Sequence, residues 1–177
     1  LLNLSVILED SAQRYPTKDA FISHGEGYTF TQINQSANKV AQSLIAMGVE
    51  HGDKVALSCP NLPYFPIIYF GILKAGAVVV PLSILLKSEE VKYHLTDSDA
   101  KVYFCFEGTD TLPMGAEGLA GFNKCSSCQK FVLIAASGVE NPTFSECMTL
   151  QSVLDGSYHT FESIRTSAED TAVIIYT

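Results

Sequence analysis

The chain has 177 residues, 47% of them hydrophobic and 17% charged, which is enough to bury one sizeable core. Its 11 Lys and Arg against 19 Asp and Glu leave a formal charge of −8, which disfavours nucleic-acid and anionic-lipid partners. Five cysteines without framework spacing point to reduced thiols in a cytoplasmic setting, and no secretory signal pattern opens the sequence.

In chain order, Asn3 to Tyr15 carries Leu4, Ile7, Leu8 and Ala12 on one helical face, closed by Pro16. Asp19 to Ser23 and Tyr28 to Thr31 flank Gly25-Glu26-Gly27 and read as a hairpin. From Thr31, taken as the N-cap, Ile33, Ala37, Val40, Ala41 and Leu44 recur at helical spacing, with Gly48 beyond the end. Lys54 to Ser58 is a strand. Tyr64 to Ala75 is apolar on nearly every side, as expected of a helix buried between a sheet and another layer. The apolar run from Tyr64 to Leu86 approaches the roughly 20 residues of a membrane span, but Lys74, Gly76 and Pro81 interrupt it, so no transmembrane segment is expected.

Ala77 to Pro81 follows as a short buried strand, and Ser88 opens a helix that turns Val91 and Leu95 inward. Lys101 to Phe106 is the next strand. The alternation of helix and strand predicts an α/β fold, a mainly parallel sheet covered by helices on both faces. Residues 107–168 are assigned only in patches, as a strand over Lys130 to Ala135 and a short helix over Leu150 to Leu154. Ala172 to Tyr176 reads as a final strand. Leu1 in place of an initiator Met, and this apolar stretch with no turn after it, suggest part of a longer protein. An unpaired apolar edge at the last strand would favour a homo-oligomer.

Local chemistry offers no active site. Cys125-Ser-Ser-Cys128 has metal spacing but no second pair beside it, and two ordinary thiols are the simpler reading. Glu90 and His94 lie one turn apart with no further partner, as on a solvated helix face. His24, His51 and His159 stand near loops without a nucleophile motif. Gly25-Glu-Gly27-Tyr-Thr-Phe30 has Phe where a dinucleotide fingerprint needs its third glycine, and it precedes a strand instead of following one.

Three stretches carry more information together. Tyr28-Thr-Phe-Thr-Gln-Ile33, Gly48-Val-Glu-His-Gly-Asp-Lys-Val55 and Leu73-Lys-Ala-Gly-Ala-Val-Val-Val-Pro81, in this order and spacing, resemble the N-terminal part of the adenylate-forming (AMP-binding) enzymes. Asn61, Phe70-Gly71 and Asp97-Ser-Asp-Ala100 fit the same pattern, and the wording is closest to acyl-CoA synthetases acting on fatty or aryl acids. The resemblance implies that residues 1–177 are the N-terminal portion of the large domain of such a ligase. It further implies ATP, Mg2+ and coenzyme A for the full-length protein, with a carboxylic acid as substrate, and none of these bound to the fragment.

In that family a strand like Glu169 to Thr177 runs into a Ser/Thr- and Gly-rich loop ending in Lys, whose backbone cradles the phosphates of ATP. Tyr176 and Thr177 are therefore the cofactor-binding candidates, with no catalytic or metal residue expected and no activity from these residues alone. Ser83-Ile84 departs from the Asn-Pro that many acyl-CoA ligases carry after this strand, and Gly115 to Cys128 matches no pattern of the family. The alternative is a non-catalytic interaction or dimerisation module, which would need a bare face on the apolar helix Tyr64 to Ala75.

Overall fold

The computed structural model describes residues 3–135, 142–156 and 159–177; Leu1 and parts of the 107–168 stretch lie outside them. The first helix, α1 (Val6–Arg14), starts later than its apolar pattern, because the Asn3 carboxamide accepts from the Ser5 N–H at 2.9 Å and turns the chain there. Strands β1 (Asp19–Ser23) and β2 (Glu26–Thr29) form the predicted antiparallel hairpin, turning at His24 and Gly25 with φ of 50° and 84°. Helix α2 (Phe30–Ala46) is capped by Thr29, not Thr31. Thr29 prevails because Gln32 stands three residues on and reciprocates: its N–H donates to the Thr29 hydroxyl, and its side chain accepts from the Thr29 N–H.

Strand β3 (Lys54–Ser58), helix α3 (Tyr64–Lys74), strand β4 (Val78–Pro81), helix α4 (Ser88–Asp97) and strand β5 (Ala100–Phe106) follow with short links. Helix α5 (Met114–Asn123), strand β6 (Lys130–Ile134), strand β7 (Met148–Thr149) and helix α6 (Leu150–Leu154) complete the order, with a 3₁₀ turn at Pro142–Phe144. The five strands pair in parallel as β4-β3-β5-β6-β7. The chain thus leaves β3 in one direction and returns past it to β5. Right-handed crossovers then require the connecting helices to lie on opposite faces.

The core follows that division. Val55, Leu57, Val79, Val102, Phe104, Val132 and Ile134 face α2 and α3, whose Val40, Leu44, Ile68 and Ile72 are fully buried. Ala56, Val80, Tyr103, Cys105 and Leu133 face α4 and α5. The predicted parallel α/β sheet with helices on both faces is the architecture observed.

Helix α5 was not expected from Gly115 to Cys128, because glycine costs about 1 kcal/mol per helical position relative to alanine. Tertiary packing overrides that cost. Gly115, Gly118 and Gly121 recur every third residue, and a Cβ on Gly118 would stand 2.5 Å from the Cys105 sulfur, one on Gly121 2.6 Å from the Val91 Cβ. The seam lets α5 settle directly on β5 and α4.

The expected final strand is reduced to one bridge. Val79 pairs with Val173 in parallel, through Val79 N–H to Ala172 O and Ile174 N–H to Val79 O, both 2.9 Å. The ladder lacks a free donor on β4 in either direction. The Ala77 N–H already serves Ile72 O, and Pro81, the next residue facing this way, has no N–H.

Candidate functional site

In parallel α/β sheets, ligands gather beyond the carboxyl ends of the strands. The segment 172–174 runs parallel to β4, so it carries Tyr176 and Thr177 to that margin. Three polar clusters hold the approach to this point. At the first, Glu9 of α1 accepts from Lys74 of α3 at 2.5 Å and from Ser163 at 2.5 Å, while Asn3 donates to both Leu73 O and Ile164 O. The Lys74 side chain is 1% exposed. Burial depresses the Lys74 ammonium, the Glu9 partner opposing; for Glu9, burial acts upward, but hydrogen bonds from Lys74 and Ser163 and the lysine charge outweigh it and lower the carboxyl.

At the second cluster, His51 Nε2 lies 3.1 Å from Asp170 Oδ2, which also accepts from the Ser167 N–H at 2.8 Å. That backbone hydrogen bond lowers the Asp170 carboxyl, burial opposing and His51 assisting. His51, Asp170, Gly76, Lys54 and Thr171 line a cleft of about 250 Å³ at the opposite, amino margin of the sheet.

The third cluster is Tyr176 itself. Its hydroxyl donates to Asp97 Oδ2 at 2.7 Å, and its ring meets the His94 imidazole edge-on with centroids 4.4 Å apart. Burial, then the Asp97 hydrogen bond and charge, push the Tyr176 phenol up to about 12. Thr177 is exposed.

The remaining sequence candidates are not brought together. His94 Nδ1 meets the backbone oxygen of Glu90 at 2.6 Å, whereas the Glu90 carboxylate accepts from the Lys87 N–H at the head of α4. His24 stays in the hairpin turn beside Ser23, and His159 offers its carbonyl to Asn38. Cys125 and Cys128 are free buried thiols. Burial and the neighbouring Cys125 push Cys128 up to about 12; at Cys125, burial is outweighed by hydrogen bonds from Ser127 and Thr96, which lower it. Among the described residues no group of three or more His, Cys, Asp or Glu side chains converges as a metal site. No described helix is long and apolar enough to cross a membrane. The contacts of Asp97, Glu9 and Lys74 were not read from sequence, since their partners stand 79 and 65 residues away.

The model of the AMP-binding enzyme family matches residues 8–177. The chain belongs to that family. Among curated AMP-binding relatives, a long-chain-fatty-acid–CoA ligase of Bacillus subtilis strain 168 is 40% identical over 99 residues, 56% of this chain and 18% of the relative. The long-chain-fatty-acid–CoA ligase FadD13 of Mycobacterium tuberculosis H37Rv is 37% identical over 102 residues, 56% of this chain and 20% of the relative. The matched stretch is therefore a small part of these relatives' length.

Solved structures repeat the AMP-binding fold over almost the whole chain. The anthranilate CoA ligase AuaEII, solved with anthranoyl-AMP, superposes with a TM-score of 0.85 at 24% identity, covering 99% of this chain and 31% of the ligase. A Mycobacterium tuberculosis fatty acyl CoA synthetase gives 0.76 at 26% identity, covering 99% and 32%. The chain thus has the fold of the N-terminal part of the adenylate-forming ligases.

Proposed function

We propose that residues 1–177 are the N-terminal portion of the large domain of an AMP-forming acid–thiol ligase acting on a fatty acid. The observation that carries this reading is the 40% identity to a long-chain-fatty-acid–CoA ligase across more than half of the chain. A carboxylate oxygen of the substrate attacks the α-phosphorus of ATP and expels pyrophosphate. The thiol of coenzyme A then attacks the acyl carbonyl and releases AMP. Such chemistry rests on positioning and on neutralising phosphate charge, for which Mg2+ is the expected counterion. Tyr176 and Thr177 stand closest in sequence to the nucleotide in this reading. The five free thiols support a cytoplasmic setting.

The test is ATP–pyrophosphate exchange with a panel of carboxylic acids. Full-length enzyme should exchange with fatty acids, and the 177-residue chain alone should not. Exchange by the short chain would overturn the assignment of the chemistry to residues outside it. No exchange by the full-length protein with any acid would overturn the ligase reading. The alternative of an interaction module gains no support from α3: Tyr64, Phe65, Tyr69 and Phe70 are packed against the core, and no residue of α3 is exposed.

A further inference from the structure

Beyond the bridge to Val79, segment 172–177 has lost its ladder, because Pro81 offers no N–H to Ile174 O. Backbone pairing alone therefore does not set the direction in which the chain passes residues 175–177. Ile175 is 69% exposed and adds no packing. What remains is the Tyr176 side chain, directed back across the sheet edge onto α4. Asp97 and His94 lie on successive turns of that helix, one accepting the phenol proton and the other flanking the ring. Helix α4 is itself fixed by Val91 and Leu95, which are 2% and 0% exposed, so both contacts sit on a rigid element.

We propose that Asp97 and His94 form a latch on Tyr176 that fixes the backbone at Thr177, making Tyr176 a positioning residue for the nucleotide of the adenylation step. The proposal rests on the ligase reading for its functional half, and on the geometry at α4 for its structural half. Removing a hydrogen bond of this kind corresponds to a roughly 3- to 10-fold change in an equilibrium constant. Because the latch acts on where the nucleotide is held, the loss falls on its KM and leaves kcat nearly intact.

The experiment has two arms. In the full-length enzyme, Y176F and D97A should raise the KM for ATP roughly 3- to 10-fold. D97N, whose amide oxygen still accepts, should recover most of the wild-type value. In the same full-length protein, Y176F and D97A should speed amide hydrogen exchange at Ile174, with core amides of β3 unchanged. A wild-type KM in Y176F would overturn the positioning role, and so would a fall in kcat without a change in KM. Unchanged exchange at Ile174 would overturn the latch. Absence of activity in the wild-type enzyme defeats the ligase reading instead, and the exchange arm then decides the latch alone. If Y176F fails to fold, the D97A and D97N pair gives the same readings without touching the tyrosine.

Discussion

The block β3–α3–β4 and the tail 159–177 lie against one another but are held by different physics. The block is nearly sealed: Val55, Leu57, Ile68, Ile72 and Val79 are all at 0% exposure. The tail buries no apolar residue fully, Phe161 and Val173 being half-buried, and it is fastened through Ser163 to Glu9, Asp170 to His51 and Tyr176 to Asp97. Burial is additive and indifferent to direction, whereas each polar contact fixes one atom at one place. The block supplies stability, and the tail supplies position.

The largest test of that contrast is Ile68→Ala. It should cost about 4 kcal/mol, read as a fall in the urea midpoint, since the side chain is sealed on all sides. Gly118→Val carries the same packing logic to the opposite face: with 2.5 Å to the Cys105 sulfur it should cost about 3 kcal/mol despite the better helix propensity of valine. An unchanged midpoint would show that α5 does not sit on β5 as described.

Glu9→Ala leaves the Lys74 ammonium buried without its partner. A sealed pair would lose about 3–5 kcal/mol, but Glu9 keeps 36% of its side chain exposed, so about 2 kcal/mol is expected. Lys74→Met in the Glu9→Ala background should restore part of the loss, and strict additivity of the two changes would count against the pair.

The smallest effect is a pH dependence of the tail. The Asp170 carboxyl is lowered in the folded chain, so its contribution is complete above the ordinary aspartate range and fades as pH falls through the lowered value. Protection of the Ser167 amide, measured relative to its intrinsic exchange rate at each pH, should therefore fall on acidification in the wild type and be low at every pH in Asp170→Ala. A wild-type profile matching the variant's would remove the Asp170 contact.

These contrasts also explain what could be read from the chain alone. The block was legible because Val78, Val79 and Val80, and the all-round apolar Tyr64 to Ala75, announce burial through local pattern. Helix α5 was hidden because its glycines carry information only once Cys105 and Val91 stand opposite them. The expected strand at Ala172 to Tyr176 had the right composition, but its ladder was decided by Pro81, some 90 residues earlier, which no local window weighs. At the candidate site, the resemblance nominated Tyr176, whereas Asp97 entered only as part of a family-like run, without its hydrogen bond to Tyr176. Contacts between distant segments leave no periodicity to find.

Pro81 has a consequence for association as well. A sheet edge with free donors is a template that any extended chain can copy, and zipping proceeds residue by residue once the first pair forms. At β4 that growth stalls after one register position, whether the incoming strand is the molecule's own tail or a neighbour's. The same missing hydrogen that leaves residues 175–177 to a side chain's care therefore also makes this margin a poor seed for aggregation.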